Sequence, residues 1–141
     1  MILENHIANE MIWSNENDWF QIEPLNANDS IISINFQFDE IRVGIGTVTE
    51  YYSDKYDGMG YEKGFSKFLK LLSTKIKRED YFKGKSHYKS HYTFLNNENY
   101  ELFGTEMTWA FKFWKKTTIE LNIQNPIIES EIIKKQLNEI K

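Results

Sequence analysis

Two histidines four residues apart are the side chains in this chain best suited to hold a metal ion. His87 and His91 lie in the run HYKSHY, and this spacing places them on one face of either a helix or a strand. A metal site needs a third ligand, and only Glu79, Asp80 or the distant His6 offers one. We therefore interpret the pair as surface histidines in a basic loop and predict no metal site.

Neighbouring carboxylates are the next candidates, because two of them could act as general acid and general base. The pairs are Asp39 with Glu40, Asp54 with Asp57, and Glu129 with Glu131. They fall in predicted turns or at a solvated helix end, without an obvious partner in a cleft. The sequence also contains no phosphate loop, Gly-x-Ser-x-Gly, His-Glu-x-x-His or dinucleotide-binding motif. We therefore predict a protein without catalytic activity and without a cofactor.

The net charge of −4 is unevenly distributed along the chain. Residues 1–60 contain 11 acidic and 2 basic side chains, whereas residues 61–92 contain 3 acidic and 9 basic ones. Residues 93–141 are nearly balanced, with 7 acidic and 6 basic side chains. Such asymmetry bears on partners and on the rate of encounter with them, and not on the fold.

The basic segment, residues 63–89, has the composition of a nucleic-acid-binding surface, because aromatic residues accompany its lysines. These are Tyr81, Phe82 and Tyr88, with Tyr92 just beyond. However, the chain has 15 Lys and only 2 Arg, and Lys does not form the bidentate contacts that guanidinium groups make with phosphates and bases. We therefore predict no nucleic-acid partner, and we interpret the segment as a solvated helix face followed by a charged loop.

The acidic segment combines carboxylates with aromatic side chains. This combination suits a binder of a basic protein, since charge speeds encounter and aromatic side chains anchor the complex. Solvated loops and core aromatics would explain the same residues. The predicted partner-binding residues are Asp39, Glu40, Tyr51, Tyr52, Asp54, Tyr56, Asp57, Met59 and Tyr61.

One segment is expected to organise the rest of the chain. Residues 62–77 carry five apolar side chains at helical spacing, namely Phe65, Phe68, Leu69, Leu72 and Ile76. We predict a central helix over this range, with all five side chains buried against a sheet.

Strands are predicted on both sides of this helix, where apolar and polar residues alternate. The segments are 19–23, 31–38, 41–49, 92–94, 100–103, 107–113 and 119–123. Helices are expected over residues 1–13 and after Asn125-Pro126, and a loop over 78–90. The result is a single α+β domain, residues 1–141, in which a curved, mostly antiparallel sheet of about five or six strands packs on the central helix. A half-open barrel around that helix is the alternative.

Composition is consistent with a folded domain, since 40% of residues are hydrophobic and 16% aromatic. No stretch is long and apolar enough for a membrane span, and no signal peptide is recognisable. We therefore expect a cytoplasmic protein without a membrane partner. The lack of cysteine fits a reducing compartment.

In size, acidity, lack of cysteine and α+β architecture, the whole chain resembles the immunity proteins of bacterial toxin systems. That resemblance implies a small protein that binds and neutralises a cognate toxin, often a basic nuclease. Phage-encoded inhibitors of bacterial defence systems are similar in the same respects. A different class is a cone-like α+β protein that binds or transforms a small molecule, with a pocket lined by Phe36, Phe38, Trp109, Phe111 and Phe113.

Overall fold

The computed structural model describes residues 10–14, 16, 18–57, 60–96, 99–109 and 112–140. The chain divides into two compact units. Unit 1 comprises residues 1–74 and 126–141, and unit 2 comprises residues 75–125. Each unit contains one antiparallel sheet, so the predicted α+β class is confirmed. The prediction of one sheet with five or six strands is wrong, because nine strands form two sheets in the described residues.

The sheet of unit 1 is a five-stranded meander in chain order. Its strands are β1 (Met11–Trp13), β2 (Trp19–Ile22), β3 (Ile32–Gln37), β4 (Glu40–Ile45) and β5 (Val48–Ser53). The predicted alternation holds at the start of β3, where Ile32 and Ile34 are buried and Ser33 is not, but Phe36 is exposed and Phe38 lies beyond the strand. The predicted strand over residues 41–49 is divided in two, because Gly46 turns the chain with φ 58°.

The helix of unit 1 that packs on this sheet is α2 (Gly60–Ser73), which follows a single helical turn, α1 (Asp54–Asp57). Of the five side chains predicted to be buried on the helix, only Phe68 and Leu72 are buried helix residues. Phe65 is 42% exposed, Leu69 is half-buried, and Ile76 lies in a strand of unit 2. The predicted extent of the helix, residues 62–77, is also wrong at both ends.

Two glycines explain why the buried face of α2 differs from the predicted one. The buried positions are Gly60, Gly64, Phe68, Leu71 and Leu72, which keep helical spacing. A Cβ on Gly64 would lie 3.1 Å from Ile41 Cγ2 and from Tyr52 Cβ, and one on Gly60 would overlap the backbone of Ser53. The glycines therefore let the helix approach β4 and β5 closely, and the face that contains Phe65 turns outward.

The C-terminal part of unit 1 is anchored to the end of α2. The N–H groups of Ile127 and Ile128 donate to Leu72 O, at 2.8 and 3.1 Å, so these residues satisfy a helix-end carbonyl instead of starting a helix at Pro126. The helix α3 runs over Ser130–Ile140 and buries Ile133. The helix predicted over residues 1–13 is wrong at Met11–Trp13, which is β1, and its first nine residues lie outside the described residues.

Unit 2 is a four-stranded antiparallel sheet. Its strands are β6 (Ile76–Lys83), β7 (Ser86–Asn96), β8 (Asn99–Met107) and β9 (Thr117–Gln124), in the order β8-β7-β6-β9. The loop predicted over residues 78–90 is instead the β6–β7 hairpin, which turns at Gly84 with φ 62°. The strand predicted over residues 107–113 is wrong, because β8 ends at Met107. Over the described ranges, every helix is too short or too polar to cross a membrane.

The observed orientation of α2 predicts that replacing two of its leucines by alanine will lower stability by unequal amounts. Leu72→Ala should lower the free energy of unfolding by roughly 2–5 kcal/mol, because Leu72 is fully buried. Leu69→Ala should cost only about 1 kcal/mol, because Leu69 is half-buried. Urea titrations of both variants measure these values, and equal losses would contradict the orientation of the helix.

Candidate partner-binding site

Several predicted binding residues lie at one end of the unit 1 sheet, some on the side of α2 and some on the opposite face. We call this surface the acidic–tyrosine corner, formed by Phe38, Asp39, Glu40, Tyr51, Asp54 and Tyr61. Tyr61 connects its parts, because its hydroxyl donates to Phe38 O at 3.2 Å and its N–H donates to Asp54 Oδ1 at 3.1 Å. The Asp54 carboxylate thereby satisfies a free N–H in the first turn of α2.

Phe38 is the most unusual residue of the acidic–tyrosine corner. It is the first residue of the two-residue loop between β3 and β4, and its side chain is fully exposed. Its φ of 51° is the one positive value at a non-glycine position in the described residues. Glycine and asparagine are favoured where a hairpin loop needs positive φ, so a phenylalanine is locally unfavourable there.

Glu40 and Tyr51 are tied together by Arg42. The guanidinium Nε lies 2.6 Å from Glu40 Oε1, and the guanidinium carbon lies 5.2 Å from the centre of the Tyr51 ring. These three side chains lie on the sheet face opposite α2, since Arg42 and Tyr51 are paired across β4 and β5. The Tyr51 ring remains 63% exposed, so it is held in place and still available to a partner.

The remaining predicted residues are placed differently. Tyr52 lies on the helix-facing side of β5, against Gly64, and its hydroxyl donates to Glu50. The side chains of Tyr56 and Asp57 in α1, and the whole of Met59, lie outside the described residues. Beside the acidic–tyrosine corner is a shallow depression of about 290 Å³, lined by Gln37, Phe38, Asp39, Glu40, Ser53 and Lys55.

Unit 2 contains a serine, a histidine and an aspartate in contact, which the sequence did not suggest. Ser90 Oγ lies 2.5 Å from Asp80 Oδ1 and 2.8 Å from His87 Nε2, and Arg78 Nε donates to the other Asp80 oxygen at 2.9 Å. The Ser90 hydroxyl donates its hydrogen to the Asp80 carboxylate, which can only accept. Ser90 Oγ can therefore only accept from His87, so His87 Nε2 is the donor in that hydrogen bond. A nucleophilic serine requires the opposite, a histidine that accepts its proton.

The exposure of this cluster leads to the same conclusion. Ser90 is only 3% exposed, and Asp80 and Ser90 are paired across β6 and β7. The arrangement is a hydrogen-bond chain between two strands, with a cation at one end, rather than an activated serine. The hairpin turn alone would set Asp80 opposite Lys89; the bulge between Tyr81 and Phe82 moves Asp80 opposite Ser90, so the sequence could not have indicated this pairing.

A β-bulge separates the two histidines that could have shared a metal ion. Pairing shifts between Tyr81 and Phe82, so that His91 is opposite Glu79 and His87 is opposite Phe82. The His91 ring contacts Tyr81 and the His87 ring contacts Phe82, at 5.4 and 5.3 Å between centres. The expectation that they share a face on a strand is therefore wrong. The part of the chain that the structure describes contains no group of three His, Asp or Glu side chains arranged to hold a metal.

An apolar groove of about 250 Å³ lies within unit 1. The rings of Trp13 and Phe20 stack, with centres 4.3 Å apart, and form part of its wall. Phe65 and Leu69 of α2 also border the groove. Gln136 is its one polar lining residue among those described. Of the aromatics predicted to line a pocket, Phe36 borders this groove, Phe38 lies in the β3–β4 loop, and Trp109 and Phe113 belong to unit 2. Phe111 is outside the described residues.

The environment of His91 predicts a pH dependence of stability. Partial burial lowers the pKa of His91, Lys89 and Lys77 lower it further, and Glu79 opposes them. Near and below the ordinary pKa of about 6.5, the unfolded chain therefore binds more protons than the folded one. Stability should fall as the pH drops through this range and rise again above it.

The His91→Gln variant isolates this effect. Urea titrations of the wild-type protein and of this variant between mildly acidic and neutral pH should show a smaller loss of stability on acidification in the variant. An equal loss in both proteins would show that the protonation of His91 is not coupled to folding.

Comparisons of the chain with protein-family models, with curated proteins and with solved structures gave no match. Its function must therefore be argued from its own residues.

Proposed function

We propose that this protein is a non-catalytic binding protein that neutralises a basic protein partner through the acidic–tyrosine corner. The observation that supports this most directly is Phe38, which is fully exposed and has a backbone conformation unfavourable to it. Strained residues that gain no packing are more often explained by function than by folding. Aromatic side chains in such positions commonly anchor protein interfaces.

The surroundings of Phe38 favour a basic partner. Asp39 follows it directly, and Asp54 accepts the N–H of Tyr61, whose hydroxyl reaches Phe38 O; both carboxylates belong to exposed residues. Unit 1 as a whole contains 15 acidic and 8 basic side chains. Such a field accelerates encounter with a positively charged protein, while Tyr51 and Phe38 supply apolar contact area.

A partner of this chemistry fits a bacterial toxin, for example a basic nuclease, and the protein would then act as an immunity protein in the cytoplasm. A phage-encoded inhibitor of a bacterial defence protein would use the same type of surface. The two differ in the partner and not in the binding site, so isolation of the partner with the intact chain decides between them.

Replacement of Phe38 should separate binding from stability. Phe38→Gly should raise the free energy of unfolding by roughly 1 kcal/mol, because glycine adopts positive φ without a steric penalty. The same variant should weaken partner binding by roughly 2 kcal/mol, mainly through faster dissociation. Urea titration and surface plasmon resonance measure the two effects. The matched control is Phe113→Gly, an equally drastic change at an exposed phenylalanine of unit 2.

Charge reversal tests the polarity of the interaction. Asp39→Lys should slow association and reduce its dependence on salt. Glu139→Lys, the same change at an exposed position of α3, should leave association nearly unchanged. A partner that is itself acidic, or one that binds the Asp39→Lys variant faster, would show that the proposed polarity is reversed.

The apolar groove of unit 1 supports a second candidate function, the binding of a small apolar molecule. Its volume is below the usual range for ligand pockets, roughly 300–1,000 Å³, so only a small ligand would fit. Anilinonaphthalene sulfonate should bind with saturation, and Leu137→Trp should abolish that binding by filling the groove. Ile119→Trp, at an exposed position of β9, is the control. Binding that survives Leu137→Trp would exclude the groove as the site.

A further inference from the structure

The loop between β8 and β9 in unit 2 exposes three large aromatic side chains. Trp109 is 87% exposed, Phe113 is 73% exposed and Trp114 is 68% exposed. The rings of Phe113 and Trp114 meet edge to face, with centres 5.2 Å apart and planes at 87°. Scattered exposed apolar residues are common, but a concentration of this kind marks a surface that is covered in function.

Lysines surround these aromatics. Lys112, Lys115 and Lys116 come from the same loop and are exposed. The β6–β7 turn lies against the loop, because Gly84 N–H donates to Lys116 O at 3.4 Å and the Lys115 side chain passes over Gly84. This contact adds Lys83 and Lys85 to the group. We call residues 83–85, 109 and 112–116 the aromatic–lysine tip.

The sequence around the aromatic–lysine tip contains no opposing charge. Neither residues 81–97 nor residues 107–119 include an aspartate or a glutamate. Five lysines therefore accompany three exposed aromatic rings without neighbouring carboxylates in sequence. The aromatic–lysine tip therefore combines exposed apolar rings with exposed lysines.

We propose that the aromatic–lysine tip docks on the surface of a membrane that contains anionic lipids. Trp and Phe favour the level of the lipid headgroups, where their rings leave water without entering the hydrocarbon core. Lysines near an anionic bilayer are attracted to its negative surface potential. Aromatic insertion together with a polybasic patch provides the two signals that stable but reversible membrane attachment requires.

Other partners fit the aromatic–lysine tip less well. A second copy of the chain bound through the same surface would bring lysines against lysines. Single-stranded nucleic acid stacks on aromatic faces, but perpendicular Phe113 and Trp114 rings cannot both receive consecutive parallel bases. The lysines also lack the bidentate geometry by which arginine holds phosphates. The proposal departs from the sequence-based expectation of a protein without a membrane partner, and it does not depend on the function proposed for unit 1.

Vesicle flotation with the full chain tests the proposal. The protein should float with vesicles of equimolar phosphatidylcholine and phosphatidylserine and stay behind with phosphatidylcholine alone. Rising salt should weaken binding to the anionic vesicles, because it screens the lysines. No flotation with anionic vesicles at low salt would overturn the proposal, as would tighter binding to single-stranded DNA than to these vesicles.

Matched variants assign binding to the aromatic–lysine tip. The double variant Trp109→Ala and Trp114→Ala should reduce the vesicle partition coefficient at least roughly tenfold, and so should Lys115→Glu with Lys116→Glu. Controls are Phe38→Gly, which removes a fully exposed aromatic of unit 1, and Lys134→Glu with Lys135→Glu on α3. Circular dichroism verifies that each variant is folded. If the controls reduce binding as much as the tip variants do, the tip is not the docking surface.

Discussion

The close approach of α2 to β4 and β5 determines the geometry of unit 1. It is possible because Gly60 and Gly64 present no side chains to the sheet, so that Tyr52 and Ile41 pack directly against the helix backbone. The first turn of α2 is thereby held at the end of β5, where Asp54 satisfies the N–H of Tyr61. Tyr61 in turn reaches the β3–β4 loop. The acidic–tyrosine corner therefore depends on the packing of α2 as well as on the β3–β4 loop.

The sequence predicted the features that depend on local periodicity and failed where pairing or packing decided. The alternation at the start of β3 and the apolar stripe around Phe68 and Leu72 in α2 could be predicted, because burial repeats with the period of a strand or a helix. The orientation of α2 was not, because glycine counts as neither apolar nor polar in a hydrophobic pattern although it can mark the closest contact. Residues 107–113 alternate as a strand would, but β8 ends at Met107, and Trp109 and Phe113 are exposed.

In the candidate sites, too, residues near one another along the chain could be grouped from the sequence, whereas features that depend on strand pairing could not. Asp39, Asp54 and Tyr61 could be grouped from sequence because they lie near one another along the chain, and the structure brings them to one corner. Phe38 was not among the predicted partner-binding residues, because positive φ cannot be read from composition. The faces of His87 and His91 could not be predicted, because one bulge reverses the alternation between them. The chain from His87 through Ser90 to Asp80 likewise depends on strand register.

The two proposed surfaces differ in charge but share a physical argument. Folding alone disfavours a phenylalanine at positive φ and gains little from tryptophans that remain mostly in water. Because folded proteins are only marginally stable, side chains that cost stability without packing are best explained by what they contact outside the chain. The apolar groove of unit 1 is weaker evidence for a binding function, since Phe20 and Phe68 also form the core there. Phe38 and the aromatic–lysine tip have no such second role, which makes them the more informative residues on which to test function.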